Sequence, residues 1–112
     1  MTACLRGFYT SPVDVSYTLQ DIDFEWRGEK AAANLQQHGV SFETACEAFF
    51  DPFLRVEDAG VVEGEPREAV IGLTVGWRLL YVVYVMRDDD GVVRIISARP
   101  VTGAERKYYE SE

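Results

Sequence analysis

An α+β domain is the architecture expected of this 112-residue chain, and three features carry the expectation. Two runs rich in β-branched and aromatic residues, Arg78–Met86 and Val92–Ala98, flank the turn cluster Asp88-Asp89-Asp90-Gly91. Asp-Gly between apolar runs is a strong hairpin signal, because tight hairpin turns need the positive φ that glycine tolerates. Ahead of this hairpin lie two helix-like segments, the first closed by Gly39 and the second opened by Ser41, a favourable C′ residue and a favourable N-cap. Beyond it, Thr102 and Glu105 make the T-x-x-E pattern of a capping box, which starts a last short helix. The expected arrangement is an antiparallel or mixed sheet of about four to five strands. Two N-terminal helices pack on one face and a short helix ends the chain.

In chain order, Val13, Val15, Tyr17 and Leu19 alternate with Asp14, Ser16 and Thr18. Residues 1–20 therefore read as an N-terminal extension, either an edge strand or a loose arm, ahead of a domain over residues 21–112. Ile22–Trp26 alternates as a short strand. From Gly28 to His38 the pattern is helical, with Ala31, Ala32 and Leu35 on a narrow apolar side. Arg27, Lys30, Asn34 and His38 are spaced by three, four and four, and share another face. The second helix runs from Ser41 to about Phe50; Phe42, Ala45, Cys46 and Phe49 share its apolar side, and Asp51-Pro52 stops it. Phe53–Glu57 and Glu68–Thr74 are expected strands around a Gly- and acid-rich connection, Asp58 to Pro66. Arg78–Met86 is apolar on both faces, which places it inside the sheet. Strict alternation along Val92–Ala98 puts Arg94 on one face and Arg99 on the other, and such strand charges need a partner, a cleft or solvent.

The totals describe one ordinary globular domain: 47% hydrophobic, 27% charged and 12% aromatic. Cys4 and Cys46 are far apart and the chain has one histidine, too few for a zinc site and no disulfide framework. No segment approaches the ~20 apolar residues of a membrane span and the start lacks a signal pattern, so the expectation is a cytoplasmic protein. The net charge of −8 argues against gripping nucleic acid by bulk electrostatics. Its distribution is uneven, however: residues 1–77 carry −8 and residues 78–107 carry +2. The chain shows no internal repeat and no helix-turn-helix in a basic context.

A set of short fragments, in order, gives the chain a family likeness. Phe24-Glu25-Trp26, Glu29-Lys30-Ala31, Asn34 and His38-Gly39-Val40-Ser41-Phe42 resemble the opening of the BrnT toxin family. Phe50-Asp51-Pro52, Glu63-Gly64-Glu65 with Arg67, Ile71-Gly72, Val82-Val83-Tyr84, Arg94-Ile95-Ile96-Ser97-Ala98-Arg99 and Glu105-Arg106 with Tyr109 continue the likeness to about Glu110. The resemblance implies a RelE-like fold and a metal-independent ribonuclease toxin without cofactors. It also implies a BrnA-like antitoxin partner of ribbon-helix-helix type, with operator DNA contacted only through that antitoxin.

Cleaving RNA without a metal requires activation of the 2′-hydroxyl, charge stabilisation on the phosphorane and protonation of the 5′-oxygen. Arg94 and Arg99 suit the second task, because a guanidinium binds phosphate oxygens in two places and stays charged. The plainer account of both is pairing with an acid such as Glu63, Glu65 or Glu105. His38 alone has an ordinary pKa near neutrality, yet a histidine at a helix C-terminus is also explained by the dipole. Lys30 is a candidate phosphate contact or a solvated helix charge, and Glu105 a candidate base or simply a cap. Arg67 and Arg78 are further candidates for phosphate, and Tyr109 for stacking on a base or for packing. The competing functional class is a non-catalytic module that binds the antitoxin and takes part in autoregulation of its operon.

Overall fold

The computed structural model describes residues 14–87, 89 and 91–111. Expectations for residues 1–13, Cys4 included, and for Asp88 and Asp90 lie outside the described residues.

Six strands form one mixed sheet: β1 (Asp14–Leu19), β2 (Ile22–Arg27), β3 (Arg55–Val62), β4 (Glu65–Leu73), β5 (Leu79–Arg87) and β6 (Val92–Pro100). Their order across the sheet is β1-β2-β6-β5-β4-β3. The β2–β6 pair is parallel and every other neighbour antiparallel. The count exceeds the expected four to five because Asp14–Leu19 is a paired edge strand. It turns into β2 through Gln20 and Asp21, both at positive φ (49° and 68°). That turn has the backbone of a tight hairpin without the Asn-Gly signature by which such turns are read. Likewise the acid-rich stretch Asp58–Pro66 is mostly strand. Glu63 and Gly64 (φ 52° and 78°) make a two-residue turn, and a bulge between Asp58 and Val61 accommodates Gly60.

The helices are α1 (Gly28–His38), α2 (Phe42–Glu47) and α3 (Gly103–Glu110). Ser41 caps α2 by accepting from the Thr44 amide, and Thr102 and Glu105 form the reciprocal capping box of α3. Two helical expectations need correction. The first two helices are not N-terminal, since a β-hairpin precedes them. The second ends at Glu47, and Ala48–Phe50 tightens into a 3-10 turn. This turn lies so close to β4 that a Cβ at Gly72 would stand 2.3 Å from the Ala48 carbonyl oxygen; only glycine fits there.

The core sits between one sheet face and the helices. Phe24, Trp26, Val70, Leu80, Val82, Ile95 and Ala98 meet Val40, Phe42, Ala45, Cys46 and Ala48. Apolar alternation explains these choices, but not the seating of α1. Leu35, on the expected apolar side, is 51% exposed, whereas Asn34 is buried. The Asn34 side-chain amide donates to the carbonyls of Ala98 (2.8 Å) and Val40 (3.0 Å) and accepts from the Ala98 amide (3.0 Å). α1 is thus turned to make a polar dock on β6, satisfying backbone groups that would otherwise be buried unpaired. No described helix is long and apolar enough to cross a membrane.

Candidate active site on the open sheet face

The register of β5 on β6 decides where the two β6 arginines point. Tyr84 lies opposite Ile95 and Val83 opposite Ser97, so Ile96 is an extra residue, a β-bulge. A bulge shifts the side-chain alternation by one. Arg94 (opposite Val85) and Arg99 (opposite Tyr81) therefore emerge on the same face, the one away from α1 and α2. The expectation of one guanidinium per face fails for this reason. Four residues of β5 separate the two positions, roughly 13 Å at about 3.3 Å per residue.

Following the register outward, Glu25 of β2 lies opposite Arg94 and Ser16 of β1 opposite Glu25. On the other side Tyr81 faces Ile71 of β4, and Ile71 faces Arg55 of β3. Since alternate residues share a face, Arg27, Arg67 and Arg87 join Arg55, Arg94 and Arg99 there. Six guanidiniums on one face account for more than half of the chain's eleven lysines and arginines. Three of the six (Arg27, Arg55 and Arg67) come from the acidic first part of the chain and three from the basic later part, and carboxylates are interleaved with them.

Arg94 is the more enclosed of the two β6 arginines. Its side chain is 13% exposed and meets Glu25 at 2.6 Å and Asp14 at 3.1 Å. Burial works against its charge, but hydrogen bonds to Asp14 and Glu25 outweigh burial and raise its pKa above the ordinary arginine value. These partners lie on β1 and β2, so Arg94 fastens the edge hairpin to β6. Arg99 is 32% exposed and pairs in both positions of its fork with Glu105 of α3, each at 2.8 Å. Its guanidinium carbon stands 4.2 Å from the centre of the Tyr81 ring. The Arg99 hydrogen bonds hold the Glu105 carboxyl below its usual range, against its partial burial. Glu105 is at the same time the capping-box residue, accepting from the Thr102 amide at 2.8 Å.

The remaining candidates divide between two sides of the sheet. Arg67, on the open face, is 3.7 Å from Glu65, and its Nε is buried without a hydrogen-bond partner among the described residues. Lys30 and His38 belong to α1, packed on the other face; Lys30 is exposed and His38 half-buried. Arg78 sits at the C-terminal end of α1, donating to the Gly39 carbonyl at 3.1 Å. Tyr109 donates to Asp51 at 2.5 Å and so ties α3 to the segment after the 3-10 turn. The structure therefore places Arg94, Arg99 and Arg67 on one sheet face but brings only Arg99 and Glu105 into contact; Lys30, His38 and Arg78 lie with α1, and Tyr109, on the same helix as Glu105, is engaged with Asp51. Tyr81 escaped sequence reasoning because it looked like one more apolar strand residue. Its place directly across from Arg99 depends on the bulge, which no spacing rule announces.

The family model of the ribonuclease toxin BrnT of type II toxin–antitoxin systems matches residues 26–105. No curated protein matches the chain. The matched span holds α1, α2, β3 to β6 and the first turn of α3, including Arg99, Tyr81 and Glu105.

Proposed function

Because the chain belongs to the BrnT family of ribonuclease toxins from type II toxin–antitoxin systems, we propose that it is a metal-independent endoribonuclease acting at Arg99 and Glu105 on the open sheet face. In this reading the fold is RelE-like, the protein works in the cytoplasm, and a ribbon-helix-helix antitoxin of BrnA type neutralises it and supplies any contact with operator DNA. The observation that carries the reading is the juxtaposition of a half-buried guanidinium with a carboxylate held ionised on a strand-and-cap scaffold.

The chemistry follows from that pair. Glu105, held ionised by Arg99, accepts the 2′-hydroxyl proton as the 2′-oxygen attacks phosphorus. The P–O5′ bond breaks to leave a cyclic phosphate, the 5′-oxygen takes its proton from water, and Glu105 returns its proton to the hydroxide so formed. Arg99, released in part from Glu105 as that group is protonated, turns its N–H donors to the phosphorane oxygens without leaving its place on the face, and such a positioned donor contributes about 10²-fold or more. Arg67, partly exposed on the same face, offers the outer edge of its guanidinium to a neighbouring phosphate. Arg94, spent on two carboxylates, fastens β1 and β2 in place. Lys30, His38, Arg78 and Tyr109 stand outside this centre.

The test is cleavage of RNA by purified protein with EDTA present. Arg99→Ala and Glu105→Gln are each expected to lower the rate roughly 10²-fold with the fold intact by circular dichroism. Arg94→Ala is expected to lower the melting temperature more than the rate.

One observation favours the competing reading, a binding module without catalysis: both β6 guanidiniums are paired with carboxylates in the free chain. Intact RNA at high protein concentration, from protein that still forms a complex with its antitoxin, would establish that reading instead.

A further inference from the structure

We infer that Tyr81 is the positioning residue of the centre: its ring holds the Arg99 guanidinium in place while Glu105 gives up its charge. The inference rests on the catalytic reading of Arg99 and Glu105 and adds a part to it.

The need for such a part follows from the ion pair. Among the described residues Arg99 has two close supports from outside its own strand on the open face, the Glu105 carboxylate and the Tyr81 ring. The first is lost in the reaction itself, because a protonated carboxyl attracts the guanidinium far less than a carboxylate does. Glu57 then remains only as a nearby charge outside ion-pair contact, and a flexible arginine freed of its paired carboxylate would swing into solvent. The ring is a support that does not change protonation. Tyr81 lies directly across from Arg99 in the β5–β6 register. Its ring face is 4.2 Å from the guanidinium carbon, within the range of cation–π attraction.

Tyr81 is itself well fixed. It is half-buried on an interior strand, and its other cross-strand neighbour, Ile71, is fully buried. Burial and the nearby Glu57 carboxylate of β3 keep its hydroxyl protonated above the usual tyrosine range. With its carbon over that ring, the guanidinium directs both terminal N–H groups at Glu105. A phosphate on the open face beside Glu105 would meet the same donors. The attraction is indifferent to the hydroxyl, so phenylalanine should serve and an aliphatic residue of similar bulk should not.

The experiment uses the full chain and four variants: Tyr81→Phe, Tyr81→Leu, Arg99→Lys and the Tyr81→Leu/Arg99→Lys double. With wild-type cleavage established in EDTA, Tyr81→Leu is expected to lower kcat roughly tenfold or more, with a smaller change in KM. Tyr81→Phe should stay within about twofold of wild type. In the Arg99→Lys background, where a point charge keeps the attraction but has no fork for the ring to orient, the Tyr81→Leu change should lose most of its effect. A Tyr81→Leu variant as active as wild type, or a Tyr81→Phe variant as damaged as Tyr81→Leu, overturns the inference.

A second readout does not need turnover. The Arg99 Nε–H signal in nitrogen-edited NMR, followed in the Glu105→Gln protein, reports whether the guanidinium stays ordered without its carboxylate. The signal is expected to persist in Glu105→Gln and in Glu105→Gln/Tyr81→Phe, and to vanish in Glu105→Gln/Tyr81→Leu. Retention in that last protein overturns the positioning role whether or not RNA is cut. Loss there, in a protein that cuts no RNA, supports the positioning role and places the failure with the catalytic reading.

Discussion

Asn34 is the one buried residue of α1, and its side chain docks that helix on β6. It satisfies three backbone groups, on β6 and at Val40, all in the interior. Removing the amide leaves them buried without partners, so Asn34→Ala is expected to cost about 2–4 kcal/mol, read as a lower midpoint in urea unfolding. An unchanged midpoint would mean that water replaces the amide at no cost. The position was only half legible in the sequence. Periodicity placed Asn34 correctly with Lys30 and His38 on one face, but polarity suggested that this face looked outward. What reversed it is a demand made by β6, 64 residues away, for hydrogen bonds to Ala98. The arginines show a similar division. Their need for partners was legible, and Glu105 was among those named for Arg99, whereas Asp14 and Glu25 became partners of Arg94 through the parallel β2–β6 pairing and the edge strand.

Capping chemistry made the end of α1 and the starts of α2 and α3 readable, because Gly39, Ser41, Thr102 and Glu105 act within a few residues of themselves. The two tight turns and the Ile96 bulge were not readable, since each is set by pairing with a strand elsewhere. α3 illustrates how such an element responds to acid. Two of its ties to the domain run through carboxylates, Arg99–Glu105 and Tyr109–Asp51. Burial pushes the Asp51 carboxyl up, but hydrogen bonds from Tyr109 and from the Phe53 and Leu73 amides outweigh it, leaving the group below its ordinary value of 3.8. Glu105 is likewise below its ordinary 4.5. Carboxyls with lowered folded-state values stabilise fully above their unfolded values, and that contribution fades as pH falls through the folded ones. As pH falls below about 4.5, the protection factors of the Arg106–Glu110 amides, corrected for the intrinsic exchange rate, should therefore drop before those of β5 do. Combining Asp51→Asn with Glu105→Gln should remove this pH dependence; if it persisted, the two carboxyls would not be its source.

Charge acts over the protein as a body, and here its sum misleads. The net charge is −8, yet the sheet face opposite α1 and α2 gathers six guanidiniums among interleaved acids. Single-stranded RNA meeting Arg99 and Arg67 should displace few counterions. The logarithm of its affinity for the Glu105→Gln variant, measured by fluorescence anisotropy, should fall with the logarithm of salt concentration at a slope of about −1 to −2. A slope several times steeper would reveal a broad basic track that this face does not offer. The two tryptophans occupy opposite extremes: Trp26 is 2% exposed in the core, and Trp77 is 82% exposed at positive φ in the β4–β5 connection. Iodide in solution can therefore quench one indole and not the other. The emission that survives quencher comes from the interior, so a single fluorimeter cell separates events at that loop from melting of the domain.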